Sequence, residues 1–245
     1  MTSQTPGRVA GPRRRAHRWP RSDRALAPLT TLERWMEPQF LPAPILRLIR
    51  IAVNIVGATG AAYFAVATLH VFFSTHRPIG IAFFVVQMWV VVAYLIRRPA
   101  TVVTRRPGDW LLAFAGTFGG VLLRPDGAHP AWGVSLGLAL QLVGLVICLA
   151  AFLSLGRSFG FAAADRGLVR RGPYAIVRHP IYFSYLFLQA GYLIQSLSVA
   201  TALVVALVTS CNVGRALAEE RILAGDAAYG EYQRRVRWRL IPGVW

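Results

Sequence analysis

Apolar residues in this chain are gathered into long unbroken blocks, not spread at the short periods typical of a water-soluble core. Residues 51–73, 79–96 and 133–155 contain no Asp, Glu, Lys or Arg. Each block is close to the roughly 20 residues needed to cross a hydrocarbon layer ~30 Å thick. Helix is the form in which such a block satisfies its own backbone hydrogen bonds where lipid offers none. The pattern predicts membrane helices at about 45–73, 79–96, 110–123, 133–155, 182–196 and 198–214. The third is short and holds three glycines, so it is expected to cross only if Trp110 and Arg124 draw its ends inward. The last two are separated only by residues 195–198 and read as a tight helical hairpin. Arg77-Pro78, Arg98-Pro99, Arg106-Pro107 and His179-Pro180 mark loop edges. The expected fold class is all-α: a polytopic transmembrane helical bundle of about six membrane segments, with a cytoplasmic C-terminal helix.

The polar positions divide the chain further. Residues 1–41 form an Arg- and Pro-rich leader with few large aliphatics, too poor in apolar surface to fold alone. Within it, residues 29–40 are compatible with an interfacial helix anchored by Trp35. No signal peptide is expected, because the first apolar block begins only near Pro42. Residues 42–155 hold the N-terminal membrane helices, and residues 156–245 hold most of the remaining ionisable groups. The net charge of +17 comes from arginine alone, since the chain has no lysine. In a soluble protein such charge would suggest nucleic acid. Here the arginines lie between apolar blocks, where they meet anionic headgroups, so the expected partners are membrane lipids and not nucleic acid. With the N-terminus inside, 25 of the 27 basic residues fall on the cytoplasmic side, which predicts an even number of crossings and both termini cytoplasmic. Cys148 and Cys211 both fall in apolar segments; neither a disulfide framework nor a metal site is indicated.

Candidate chemistry concentrates in two places. The first is residues 156–185, GRSFGFAAADRGLVRRGPYAIVRHPIYFSY, a polar-rich stretch between two apolar blocks. Gly172-Pro173-Tyr174 is a turn signal, and Pro180 suits the first position of a helix. The second is Asn212, Arg215, Glu219 and Glu220, directly after the last apolar block. Arg215 and Glu219 are four apart and share one helix face, with Glu220 turned about 100° away. Blander roles stand beside these: an ordinary Arg215–Glu219 helix salt bridge, His179 as a helix cap, and Arg170, Arg171 and Arg178 bound to lipid phosphate. Tyr229, Tyr232 and Trp238 read as interfacial anchors.

Taken together, Gly-Pro-Tyr-x4-Arg-His-Pro-x-Tyr, a hydrophobic hairpin, Glu-Glu-x-x-Leu and Tyr-x-x-Tyr resemble the isoprenylcysteine carboxyl methyltransferase family and the related phospholipid N-methyltransferases, over about residues 155–242. The resemblance implies a membrane methyltransferase that uses S-adenosylmethionine on a lipophilic small-molecule or lipidated acceptor. It implies that Arg166, Gly167, Leu168, Val169 and Tyr174 line the cofactor and that His179, Pro180, Ile181 and Tyr182 hold its adenosine part. It further implies that Glu219 meets the cofactor's amino group and Arg215 the acceptor's carboxylate, with Arg215, Glu219 and His179 as the catalytic set. Ser184 departs from the glycine the family often has there, though it too is small. Arg215 favours carboxyl O-methylation. Phospholipid amine N-methylation is the nearest alternative and would call for a base such as His179 or Glu220. A reductase is another, since some sterol reductases share an Arg-His-Pro-like C-terminal region and use NADPH; no Gly-x-Gly-x-x-Gly follows a strand here. A non-enzymatic membrane protein, its charges serving topology alone, is the last.

Overall fold

The computed structural model describes residues 43–76, 79–100, 102–123 and 130–245. The leader, its candidate interfacial helix at 29–40, Arg77 and Arg124 lie outside them. Seven α-helices are described: α1 (Ala43–Thr75), α2 (Ile79–Ile96), α3 (Pro107–Phe118), α4 (Ala131–Leu155), α5 (Pro180–Gln195), α6 (Val199–Leu223) and α7 (Ala227–Arg235). Among the described residues, four stretches are long and apolar enough to cross a membrane: Arg47–Ser74, Ile79–Ile96, Ala131–Ser158 and Val199–Leu223. At 1.5 Å per residue, the 16 residues of α5 reach about 24 Å, short of a ~30 Å layer. α3 has only 12 residues, and a 3-10 turn at Gly119–Leu122 extends it. Two of the six expected segments are therefore shorter than a full span.

Local chemistry sets the ends. α3 and α5 each begin with proline in the first turn, where the missing N–H leaves nothing unpaired. α4 stops at Gly156, whose φ is +52°. Ser198 caps α6 by accepting from the Thr201 amide at 3.0 Å, which confirms the short link in the α5–α6 hairpin. α6 does not stop at residue 214. It runs on unbroken to Leu223 and carries Arg215, Glu219 and Glu220 with it.

α4 and α5 approach closely because both carry glycine at the crossing. A Cβ on Gly137 would stand 2.4 Å from the Gly191 carbonyl oxygen, and a Cβ on Gly191 would stand 2.5 Å from that of Gly137. Small residues at such a crossing allow the backbone contact that drives helix association in lipid. Below it, Val86 of α2 joins Leu145, Cys148 and Phe152 of α4 in a buried apolar cluster. A two-stranded antiparallel pair, β1 (Val102–Val103) with β2 (Ala164–Asp165), was not expected in an all-α reading. It ties the α2–α3 loop to the α4–α5 loop.

Candidate active site

The loop from Gly156 to His179 is held from three sides. From α2, the Arg98 amide donates to the Arg157 carbonyl at 2.7 Å, and Arg157 Nε donates to the Ile96 carbonyl at 3.0 Å. The β1–β2 pair and the Thr104 amide, bonded to the Ala163 carbonyl at 3.0 Å, extend this seam. From α7, the Tyr232 hydroxyl donates to the Tyr174 carbonyl at 2.7 Å. From the tail, the carbonyls of Trp238 and Arg239 accept from the amides of Arg178 and His179, each at 2.9 Å. The seam reaches α6 as well, where Arg221 donates to Asp109 at 2.6 Å.

Between this loop, α4, α5, α6 and α7 lies a cavity of about 130 Å³. Arg166, Gly167, Leu168, Val169, Tyr174, His179, Ile181, Tyr182, Arg215 and Glu219 all line it. Of the residues that the resemblance assigns to the site, only Pro180 does not; it is buried at the start of α5. Sequence reasoning passed over Phe159, Tyr185, Tyr229 and Tyr232 as lining residues. The last two are corrections. Tyr229 and Tyr232 are 1% and 3% exposed, so they are not surface anchors. Their spacing of three on α7 puts both on the face turned inward, which the Tyr-x-x-Tyr pattern could have signalled.

The charges are sorted with care. Glu220 accepts from Arg239 Nε at 2.9 Å and pairs with Arg178 at 3.3 Å and His179 Nε2 at 3.2 Å. This carboxylate is saturated and stands behind the cavity wall, and it takes Arg178 out of lipid contact. Glu219 lines the cavity. It accepts from the Tyr182 hydroxyl, and its other oxygen lies 3.6 Å from His179 Nδ1. His179 sits between the two carboxylates and makes no side-chain cap to α5. Burial by itself pulls the His179 pKa down, but the hydrogen bonds and charges of Glu219 and Glu220 outweigh it and hold it above the ordinary histidine value. Burial, then the charge of Arg97, pulls the Arg166 guanidinium down to about 10, which leaves it charged at neutral pH.

Arg215 does not pair with Glu219. Among the described residues it donates to Thr117 Oγ1 at 3.1 Å and to the Phe161 carbonyl at 2.9 Å, and its guanidinium lies 5.4 Å from the Tyr182 ring centre. The helix salt bridge that the spacing allows is therefore absent. One face of α6 presents the cavity with a cation that lacks a carboxylate partner and, one turn on, a carboxylate that lacks an arginine. Among the described residues no group of three or more His, Cys, Asp or Glu side chains is placed to hold a metal ion. The arrangement suits a ligand that brings both signs of charge among tyrosine rings.

Residues 132–231 match the phospholipid methyltransferase family. That segment runs from the start of α4 into α7 and contains every cavity-lining residue except Tyr232. Comparison with curated proteins finds no match. Among solved structures the chain is similar to a eukaryotic intramembrane Ras methyltransferase, an isoprenylcysteine carboxyl methyltransferase, solved without a monobody. The two are 19% identical over 84% of this chain and 88% of that one, with a TM-score of 0.41.

Proposed function

We propose that this chain, whose residues 132–231 match the phospholipid methyltransferase family, is a membrane methyltransferase that uses S-adenosylmethionine to methylate the carboxylate of a lipophilic acceptor. The observation that carries this reading is the separation of Arg215 from Glu219 on one face of α6, each without the other as partner. The donor set fits the cofactor. Glu219 receives its ammonium group, and Tyr174, Tyr182, Tyr229 and Tyr232 supply aromatic walls for its adenosine and sulfonium parts. Arg166, Gly167, Leu168, Val169 and Ile181 complete that wall, with Pro180 holding the start of α5 beneath His179.

When bound, the cofactor supplies an electrophilic methyl group on sulfur. Arg215 then holds the acceptor carboxylate in line with that group. That chemistry would pass the methyl group to the carboxylate oxygen with the thioether as leaving group, and the part of this chain's residues would be to hold the two together: Glu219 the cofactor, Arg215 the carboxylate. No proton moves, because a carboxylate is already ionised at neutral pH. The enzyme's task is alignment and exclusion of water. The acceptor enters sideways from the bilayer, and the cofactor enters from the cytoplasm, the side on which the arginine distribution puts both termini.

The family's description favours a second reading, methylation of a phospholipid amine. An amine must lose a proton first. Glu220 is occupied by Arg178, Arg239 and His179, and His179 holds its proton to higher pH than usual, so neither is well placed as the base. Arg215 would also repel an ammonium group.

The test is calorimetric titration of the purified protein with S-adenosylmethionine, S-adenosylhomocysteine and NADPH. Binding of the first two and not the third is expected. Glu219→Gln should weaken S-adenosylhomocysteine at least tenfold, the scale of one charge-assisted hydrogen bond. Unchanged affinity in that variant would remove Glu219 from the site, and NADPH binding alone would replace the reading with a reductase.

A further inference from the structure

Residues 234–245 present a surface that the candidate site does not use. Trp238, Ile241, Val244 and Trp245 are exposed, and so are Arg234, Arg235 and Arg237 beside them. The stretch contains no Asp or Glu. Glu231, one turn earlier on α7, faces Arg235 at 3.6 Å and Arg170 at 3.7 Å. Among the described residues no carboxylate pairs with Arg234 or Arg237.

The exposed apolar side chains are held in place. The main-chain oxygen of Trp245 accepts from the amides of Arg239 and Leu240 at 2.9 Å each and from that of Ile241 at 3.1 Å. The Arg239 guanidinium lies 5.1 Å from the Trp245 ring centre. A patch preset in this way binds without the ordering cost of a loose tail.

Its depth identifies the medium it meets. Leu240 is buried against Tyr182 and Ala216. It also lines a small cavity with Leu186, Gln189, Thr209 and Val213. Thr209 and Val213 stand on either side of the midpoint of α6, inside its membrane-length stretch. The chain therefore runs back along the bundle after α7. It sets Ile241, Val244 and Trp245 near the border between the apolar part of α6 and its charged end. Tryptophan and aliphatic side chains among arginines at such a border have the composition of a membrane-interface anchor. A neutral headgroup layer has no use for the arginines. A negatively charged one does, and each arginine near it strengthens attachment about fivefold.

The same residues are joined to the site. The Trp238 and Arg239 carbonyls hold the amides of Arg178 and His179, and Arg239 Nε holds Glu220. We propose that residues 234–245 are a docking surface for anionic phospholipid headgroups, and that seating on them secures this strap and with it the cavity wall at His179. The lipid contact stands by itself; its effect on cofactor binding rests on the methyltransferase reading above.

The experiment places the full chain in nanodiscs of phosphatidylcholine, alone or with one-third phosphatidylglycerol. The first readout is contact. Val244→Cys carries a fluorescent dye, Cys148 and Cys211 being buried, and nitroxide-labelled lipid quenches it. Quenching should be stronger with phosphatidylglycerol. The second readout is calorimetric affinity for S-adenosylhomocysteine, expected to be about fivefold tighter with phosphatidylglycerol, the scale of one arginine's headgroup contact. A chain carrying Arg234→Gln and Arg237→Gln should lose both gains, while its affinity in phosphatidylcholine alone stays within about twofold of wild type. Salt at about 0.5 M should erase both gains as well. Equal quenching in the two membranes, or gains that survive the double substitution, overturns the proposal. A quenching difference with unchanged affinity overturns the link to the site. No S-adenosylhomocysteine binding in either membrane, with the quenching difference intact, sinks the cofactor reading and leaves lipid docking standing.

Discussion

Replacing Glu220 by glutamine keeps the side chain's shape and removes one charge, in a place where three basic groups depend on it. Glu220 Oε2 accepts from Arg239 Nε at 2.9 Å, and Oε1 faces Arg178 Nη1 at 3.3 Å and His179 Nε2 at 3.2 Å. The side chains of Glu220 and Arg178 are 8% and 9% exposed, whereas that of Arg239 is 31% exposed. Removing one partner of a buried ion pair costs about 3–5 kcal/mol, because the other charge is left in a poor medium. Arg239 can rehydrate and Arg178 cannot, so the lower end applies, about 3 kcal/mol. For a protein of this size each kcal/mol shifts the melting midpoint by about 2–4 °C, which predicts a fall of about 6–12 °C. The assay is thermal unfolding in detergent at one fixed scan rate, without ligand, since both factors move an apparent midpoint. Arg239→Gln is the internal control and should fall by only about 2–4 °C, the effect of a half-exposed pair. A Glu220→Gln midpoint within about 2 °C of wild type, or one above that of Arg239→Gln, would refute the idea that this carboxylate anchors the loop and tail.

Three further outcomes follow from the site. Because the two glutamates raise the His179 pKa in the folded protein, its bound proton stabilises the fold. That contribution is whole below the unfolded value of about 6.5 and is lost as pH climbs through the higher folded value. The melting advantage of wild type over His179→Gln should therefore shrink from about pH 6.5 upward, and a constant difference would contradict the assignment. Tyr232→Phe removes the bond to the Tyr174 carbonyl and should cost about 1 kcal/mol, read as a lower midpoint in the same unfolding assay. Gly172→Ala should destabilise by about 1–2 kcal/mol, because Gly172 has φ +61° and the new Cβ would stand 2.3 Å from Ser154 Oγ; if Ser154→Ala in the same chain recovers nothing, the contact is not the cause.

The apolar blocks were legible because lipid imposes one rule on every residue of a crossing helix; α1, α2, α4 and α6 lie where unbroken hydrophobicity put them. What the sequence could not reveal is what tertiary partners decide. The β1–β2 pair is two residues long on each side, with no room for an alternating pattern, and it exists because the two loops meet. Arg215 is close enough to Glu219 in sequence to form a helix bridge, yet Thr117, 98 residues away, and the Phe161 carbonyl take its donors. His179 stands where a cap would, but it turns to two carboxylates 40 and 41 residues further on. Tyr229 and Tyr232 have the composition of interfacial anchors. Only the inward docking of α7, through the Tyr232–Tyr174 bond, reveals them as walls. The place of the candidate site was legible for a simpler reason: ionisable groups beside apolar blocks are few, and the α5–α6 hairpin brings the two clusters together.

The backbone strap at Trp238 and Arg239 has a consequence for biosynthesis. All seven described helices precede these residues in the chain, so synthesis reaches the strap last. Until then Glu220 lacks Arg239, and the amides of Arg178 and His179 lack their carbonyl partners. A chain truncated before Trp238 would thus keep every described helix and lack the strap that completes the site. The apolar blocks that suit the helices to a membrane and the tail that completes the candidate site are therefore separate stretches of the sequence, and truncation can remove the second without touching the first.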